Sequence, residues 1–221
     1  MYEVALNILN KLENMGYIAY IIGGYPRDKY LGIESTDIDI CTSCKPDKLK
    51  ELFDVVEDNS MFGSLRIKEN NYIYEITTFR IDVEYKGRYP KIEYTDSLIE
   101  DLKRRDFTIN TICVDKNGKY VDLLNGIEDI NKKVIRCVGD VNTKLTEDPL
   151  RMLRAIRFMG KLNFGLDNEL KECIIKDRCL IESLSKNSIK RELDKMNDIS
   201  INILKEYKLD EYLKELIWKK T

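Results

Sequence analysis

Histidine is absent from this 221-residue sequence, and no apolar run approaches the roughly 18 residues of a membrane span. The N-terminus, Met1-Tyr-Glu-Val-Ala-Leu, lacks the basic region and apolar stretch of a secretion signal, so the reading is cytoplasmic, with no membrane partner. Without such a signal, six cysteines read as reduced thiols rather than a disulfide framework. Cys41 and Cys44 have CxxC spacing, but with no histidine and no second CxxC they read as buried small hydrophobes more readily than as a zinc or redox site. A dominant charge is missing too: 37 Lys+Arg face 39 Asp+Glu, a formal net charge of −2, so nothing global announces nucleic acid. With 43% hydrophobic and 34% charged residues, the composition excludes disordered, collagenous and membrane classes. What remains is a soluble globular chain with one substantial domain, or one plus an appendage. Local positive clusters could still track phosphates: Lys103-Arg104-Arg105, then Arg151, Arg154, Arg157 and Lys161, then Lys186, Lys190, Arg191 and Lys195. The last group reads equally well as a solvated helix face.

Ala5, Ile8, Leu9 and Leu12 fall at helical spacing, and Gly16 supplies a stop. Residues 17–22 form a short β-rich apolar run ended by Gly23-Gly24, which predicts a buried strand entering a glycine turn. A second strand is predicted over 36–41, and a hairpin over 61–68 and 72–79 around Glu69-Asn70-Asn71. Ser97-Leu-Ile-Glu100 matches a capping box for a helix reaching Arg105. Short strands follow near 112–114 and 120–123, joined at Asn117-Gly118. From Glu147 onward the pattern is helical: Asp148-Pro149 reads as an N-cap with proline at the first position, and further helices are predicted near 168–176, 186–197 and 209–219. The fold class is α+β, a head followed by a helical segment.

Asp37-Ile-Asp39 places two carboxylates on one face of a strand while Ile38 and Ile40 face the core. Adjacent carboxylates repel unless a cation lies between them, and such hard oxygen ligands suit Mg²⁺; a solvated strand face has the same pattern. Gly23-Gly24, followed by Arg27-Asp28, puts bare N–H groups and a guanidinium near the same sheet edge, where a triphosphate could be cradled. Glu75 lies on the hairpin strand that could pair beside these acids.

These segments occur in an order that resembles class II tRNA nucleotidyltransferases, the CCA-adding enzymes, with bacterial poly(A) polymerases as close relatives. Gly23-Gly-Tyr-Pro-Arg27-Asp28, Asp37-Ile-Asp39, Tyr74 to Arg80, Arg104 to Asn110 and Glu147 to Phe158 carry the resemblance, which covers roughly residues 1–195. It implies a nucleotidyltransferase-superfamily head with a central mixed or antiparallel sheet over 1–140, a helical neck over 141–200, and the start of a truncated or minimal helical body over 201–221. It further implies two Mg²⁺ ions on Asp37 and Asp39, with Glu75 as the third carboxylate, and attack by an RNA 3′-hydroxyl on the α-phosphate of CTP or ATP. Because metals can activate the attacking oxygen and neutralise the leaving group, the absence of histidine is no obstacle. By the same resemblance Gly23, Gly24, Arg27 and Arg105 serve the nucleotide, and Asp106 its ribose. Asp148 and Arg151, neighbours three apart on a helix, stand in for a template strand. A carboxylate beside a guanidinium satisfies the edges of C and A, while G and U reverse the donor pattern and meet repulsion. Arg154 and Arg157 continue that ridge toward the nucleotide. For Asp148 the alternative is an ordinary cap, and for the arginines solvent ion pairs.

The sequence departs from the family pattern at Phe62 and Tyr89, each in place of a histidine, at Thr111 in place of alanine, and in Ser185-Lys-Asn-Ser-Ile189, which lacks a Glu-Arg pair. It is also short, as a fragment or a minimal enzyme would be. The expected partners are RNA, foremost the tRNA 3′ end, with CTP and ATP. A poly(A)-type or A-only polymerase is the close alternative, although the Gly-basic-basic-Phe signature of that branch is missing. A non-catalytic nucleotide- or RNA-binding protein is the more distant one. Oligomeric state is not legible.

Overall fold

A computed structural model describes residues 1–213. The chain divides into two compact units, Met1–Ile127 and Glu128 onward.

The first unit opens with α1 (Tyr2–Asn14), β1 (Ala19–Ile22), α2 (Gly24–Tyr30), β2 (Asp39–Thr42) and α3 (Pro46–Leu52). It continues through β3 (Asp54–Asn59), β4 (Ser64–Glu69), β5 (Tyr72–Thr78), β6 (Arg80–Lys86), β7 (Tyr89–Tyr94), α4 (Leu98–Lys103), β8 (Cys113–Val114) and β9 (Tyr120–Val121). Seven strands form one sheet in the order β3-β4-β5-β2-β1-β8-β9, while β6 and β7 make a separate hairpin. The β2–β5 pairing is parallel and the other pairings in the large sheet are antiparallel, so the sheet is mixed.

Side-chain alternation sends neighbouring residues to opposite faces. Ile21 and Ile40 join a core with Ala5, Ile8, Leu9 and Leu12 of α1, the four positions expected from helical spacing. Ile22 and Cys41 join a second core with Phe79, Leu102 of α4 and Cys113. Cys44 belongs to the first core, so the CxxC cysteines are buried in two different clusters and do not form a chelating pair.

Several local expectations shift. β1 begins at Ala19, and the Gly23-Gly24 turn opens α2 directly, with Gly23 at φ 86°, ψ −127°, a conformation that needs glycine. β2 begins at Asp39, so Asp37 precedes the strand rather than lying in it, although Asp37, Ile38, Asp39 and Ile40 keep the alternating burial. Ser97 caps α4 without a side-chain bond; Glu100 pairs instead with Lys103 at 2.7 Å. The β4–β5 hairpin forms as expected, with Asn70 at φ 54° in its turn.

The second unit takes up α5 (Gly126–Asn131), whose first two residues end the first unit, then β10 (Val134–Ile135), α6 (Val141–Glu147), α7 (Leu150–Leu162), β11 (Gly165–Leu166), α8 (Asn168–Asp177), α9 (Lys186–Leu193) and α10 (Asp198–Glu206). It is not purely helical, because β10 and β11 pair in parallel. The helix expected over 209–219 is a short turn at Asp210–Tyr212, and its remainder lies outside the described residues.

α7 and α10 pack closely at Gly160, where an added Cβ would stand 2.2 Å from Ser200 Oγ and 2.5 Å from its backbone nitrogen. Gly160→Ala is therefore expected to destabilise the protein by about 1–3 kcal/mol through overpacking, whereas Gly165→Ala, which meets nothing within 4 Å, changes stability by less than about 0.5 kcal/mol. Denaturant titration of both variants checks this; equal effects would contradict the close-packing account.

Candidate active site

The parallel register sets Asp39 directly opposite Glu75. Asp39 lies on the face shared with Cys41, and it lines a cleft of about 370 Å³. Its lining includes Asp39, Glu75 and Ser64 with Arg80, Arg104 and Arg105. Glu75 is oriented by Ser64, whose hydroxyl donates to Oε1 at 2.8 Å. Gly23 approaches from the end of β1: a Cβ there would stand 3.5 Å from Asp39 Oδ2.

Among the described residues, neither Asp37 nor Asp39 has a hydrogen bond or ion pair through its carboxylate. Burial, followed by the negative charges of Asp37 and Glu75, pushes the Asp39 pKa up to about 7, with Arg105 opposing. The acids thus lack an internal counter-charge sufficient to ionise Asp39 fully.

The described residues contain no cluster of three Asp, Glu, Cys or His side chains that would form a complete metal cage. Mg²⁺ takes one or two carboxylates and completes its shell with water and substrate phosphates, so the under-compensated Asp37–Asp39 pair fits.

The opposite side is cationic. Asp101, fully buried on α4, accepts from Arg104 Nε at 2.8 Å, from Arg105 Nη2 at 3.0 Å and from the backbone N–H of Arg80 at 3.2 Å. Asp101 holds the Arg105 pKa above its ordinary value despite burial. Arg80 and Arg104 were absent from the expected site residues; Arg80 stood only at the end of a motif segment, and Arg104 in a basic cluster at the start of another. Nothing local marked Asp101, because an acid in the first turn of a helix ordinarily faces solvent.

Arg27 is placed differently from a solvent-facing phosphate contact. It is 2% exposed, and its guanidinium donates to Asp28 Oδ1 through Nε at 2.8 Å and to Asn110 Oδ1. Asn110 in turn donates to Asp106 Oδ1 at 3.0 Å, so Arg27 and Asp106 belong to one buried polar network.

In the second unit, Asp148 joins α6 to α7, and its Oδ1 accepts from the Leu150 N–H at 3.1 Å, so the capping contact exists one residue away from the expected proline geometry. Arg151 is buried; its Nη1 donates to Lys144 O at 2.6 Å and Glu147 Oε2 at 3.0 Å. Arg154 lies 5.8 Å from the Phe158 ring centroid. Arg157 stacks closer, at 4.2 Å, and pairs with the buried Glu192 of α9. This is no exposed ion pair: Arg157 ties α7 to α9.

A mixed sheet that presents strand carboxylates beside a glycine turn, with an arginine-lined wall opposite, defines a nucleotidyltransferase-type head. The Poly A polymerase head domain family matches residues 19–136, more than half of the chain, and the chain belongs to that family. It is 41% identical over 198 residues to a CCA-adding enzyme of Geobacillus sp. (strain WCH70), covering 88% of this chain and 49% of that protein. Its structure is similar to the crystal structure of Bacillus stearothermophilus CCA-adding enzyme in complex with CTP, with a TM-score of 0.89 and 34% identity over 96% of this chain and 53% of that one. A tRNA nucleotidyltransferase solved with a primer tRNA and an incoming ATP analog is similar with a TM-score of 0.77 and 29% identity, over 93% of this chain and 61% of that one. The chain spans about half the length of the curated relatives it matches. No helix among the described residues is long and apolar enough to cross a membrane.

The raised Asp39 pKa has a consequence for stability. The folded protein retains a proton that the unfolded chain releases near pH 4, so metal-free protein loses stability as pH rises between about 4 and 7. Asp39→Asn is expected to flatten this dependence and, near pH 8 in chelator, to unfold about 1–2 kcal/mol less readily than the parent, a figure reduced for solvent screening of a half-buried group. Denaturant titrations across pH check the sign; a variant less stable than the parent at pH 8 contradicts it.

Proposed function

We propose that this chain catalyses template-independent addition of C and A residues to tRNA 3′ ends from CTP and ATP. The observation that carries the reading is Asp39 set in register with Glu75, its carboxylate in no ion pair, in a cleft whose other wall is arginine. The similarity to CCA-adding enzymes, one solved with CTP and a related enzyme with primer tRNA, supports nucleotide and acceptor alike.

In this reading Asp37 and Asp39 hold two Mg²⁺ ions, which when bound lower the pKa of the attacking hydroxyl and offset charge on the phosphates. Glu75, fixed by Ser64, supplies the third carboxylate of the site. The RNA 3′ oxygen bonds to the α-phosphorus as the bond from that phosphorus to the bridging oxygen breaks. The hydroxyl proton passes to solvent, and the bridging oxygen leaves on pyrophosphate. Gly23, Gly24, Arg27 and Arg105 serve the phosphates, Arg27 from within its network to Asn110, and Asp106 serves the ribose.

Base choice falls to Asp148 and Arg151. Both are fixed within their own unit, Asp148 by the Leu150 N–H and Arg151 by Glu147 and Lys144. A donor and an acceptor held in this way discriminate by about 1–3 kcal/mol per bidentate contact. Arg154 and Arg157 support the same helix, Arg157 by anchoring it to Glu192.

The test is incorporation of each labelled nucleotide, with Mg²⁺ or chelator, into tRNA transcripts ending before the tail, after C and after CC. Ordered addition of C, C and A, stopped by chelator, is expected. Asp39→Ala should abolish it in a folded protein, and Asp148→Ala should admit G and U at about 10-fold or greater relative frequency. Long A runs from ATP alone would identify a poly(A)-type enzyme instead, and undiminished turnover by Asp39→Ala would end the mechanism.

A further inference from the structure

Arg80, Arg104 and Arg105 line one wall of the cleft, Arg104 and Arg105 paired with Asp101 and Arg80 with Asp82. Asp39 and Glu75 line the same cleft, yet neither forms an ion pair among the described residues. Arg105 Nε is buried without a hydrogen-bond partner, and so is Arg80 Nε, which lies 3.5 Å from an equally unpartnered Asp82 Oδ1. Burial, and then the like charge of Arg104, draws the Arg80 pKa down to about 10, with Asp82 and Asp101 opposing. One fully buried carboxylate, Asp101, answers for Arg104 and Arg105 and also takes the backbone N–H of Arg80.

Buried polar groups left unpaired in a cleft call for a ligand that supplies the missing acceptors. Guanidinium forks match phosphate oxygens in geometry and charge, and several together suit a polyphosphate better than a single phosphodiester. We infer that Arg80 and Arg104, held alongside Arg105 by Asp101, bind the β- and γ-phosphates of the incoming nucleotide, and that Asp101 is the positioning residue of this wall. The inference rests on the nucleotidyltransferase reading of the same cleft. It adds to that reading two phosphate contacts and the buried anion that orients them.

The full chain with Mg²⁺ is titrated with ATP, ADP and AMP, and separately with a tRNA transcript, for the parent, Arg80→Ala, Arg80→Lys, Arg104→Ala and Asp101→Asn. Lys48→Ala, an exposed change on α3, serves as control. Arg80→Ala and Arg104→Ala are expected to weaken ATP binding about 10- to 100-fold, with a smaller loss for ADP and none for AMP, while tRNA affinity holds. Arg80→Lys should recover only part, because it keeps the charge and loses the fork. Asp101→Asn should raise KM for ATP more than it lowers kcat; mere partial unfolding would reduce the active fraction and leave KM alone. If Asp101→Asn does not fold, the arginine variants decide.

Unchanged ATP affinity, equal losses for ATP and AMP, or a loss confined to tRNA would each overturn the inference. Phosphate-dependent losses in the variants of a parent chain that itself incorporates no nucleotide leave the binding site standing and remove the catalytic reading. Incorporation by a parent whose Arg80→Ala variant binds ATP normally does the reverse.

Discussion

The parallel pairing of β2 with β5 is the constraint on which the first unit turns. Among the described residues it is the one parallel junction in the large sheet, and it sets Asp39 against Glu75, an arrangement that carboxylates avoid when left to themselves. What holds them together is apolar: Ile38, Ile40 and Ile76 enter the α1-side core, while Cys41 and Phe79 enter the α4-side core. Each fully buried aliphatic side chain contributes about 1.5–3 kcal/mol, so several together outweigh one strained carboxylate. The repulsion is then localised at a single half-buried group, where a cation or a proton relieves it.

The same economy of charge appears across the cleft. Three arginines would repel one another in a pocket of this size, and the fold meets that with Asp101, placed on the buried side of α4 rather than in the cleft itself. Its position matters because Asp101 pairs with Arg104 and Arg105 without itself lining the cleft, so it orients these guanidinium groups and does not stand among the lining residues. Removing one partner of such a buried pair leaves an uncompensated charge, which is why the wall is held as a unit.

Much of this fold was legible because it is local. The i, i+3, i+4 spacing of Ala5, Ile8, Leu9 and Leu12 named the buried face of α1, and Asn70 marked the β4–β5 turn. Asp37 and Asp39 stood out through alternation with Ile38 and Ile40, which survives although the strand begins only at Asp39. What could not be read was set by partners distant in sequence. Asp101 looks like any acid in a first helical turn until Arg80 arrives from β6, and Arg157 looks solvent-facing until α9 brings Glu192 beneath it. The β6–β7 hairpin escaped because its strands carry charge on nearly every other residue and half-exposed apolar positions such as Ile81 and Val83. The capping box at Ser97 failed for a local reason as well: Glu100 has Lys103 one turn away, and that pairing takes the carboxylate the box would have used.

Under the proposed function, Arg151 would combine a structural contact and a recognition role in one side chain. An arginine presented to a base edge from a mobile surface position would lose side-chain entropy on every encounter, and its fork would accept many donor–acceptor patterns by readjusting. Here the main chain of Lys144 and the carboxylate of Glu147 fix Nη1 from within the unit, and the Leu150 N–H fixes Asp148. In the proposed function, contacts that look merely stabilising would serve specificity: they would remove the freedom by which the pair could adapt to G or U, so a mismatched edge would meet a rigid donor and a rigid acceptor in the wrong order. Arg157 extends the principle to the whole helix, since its ion pair with buried Glu192 sets the helix that carries the pair rather than the pair itself.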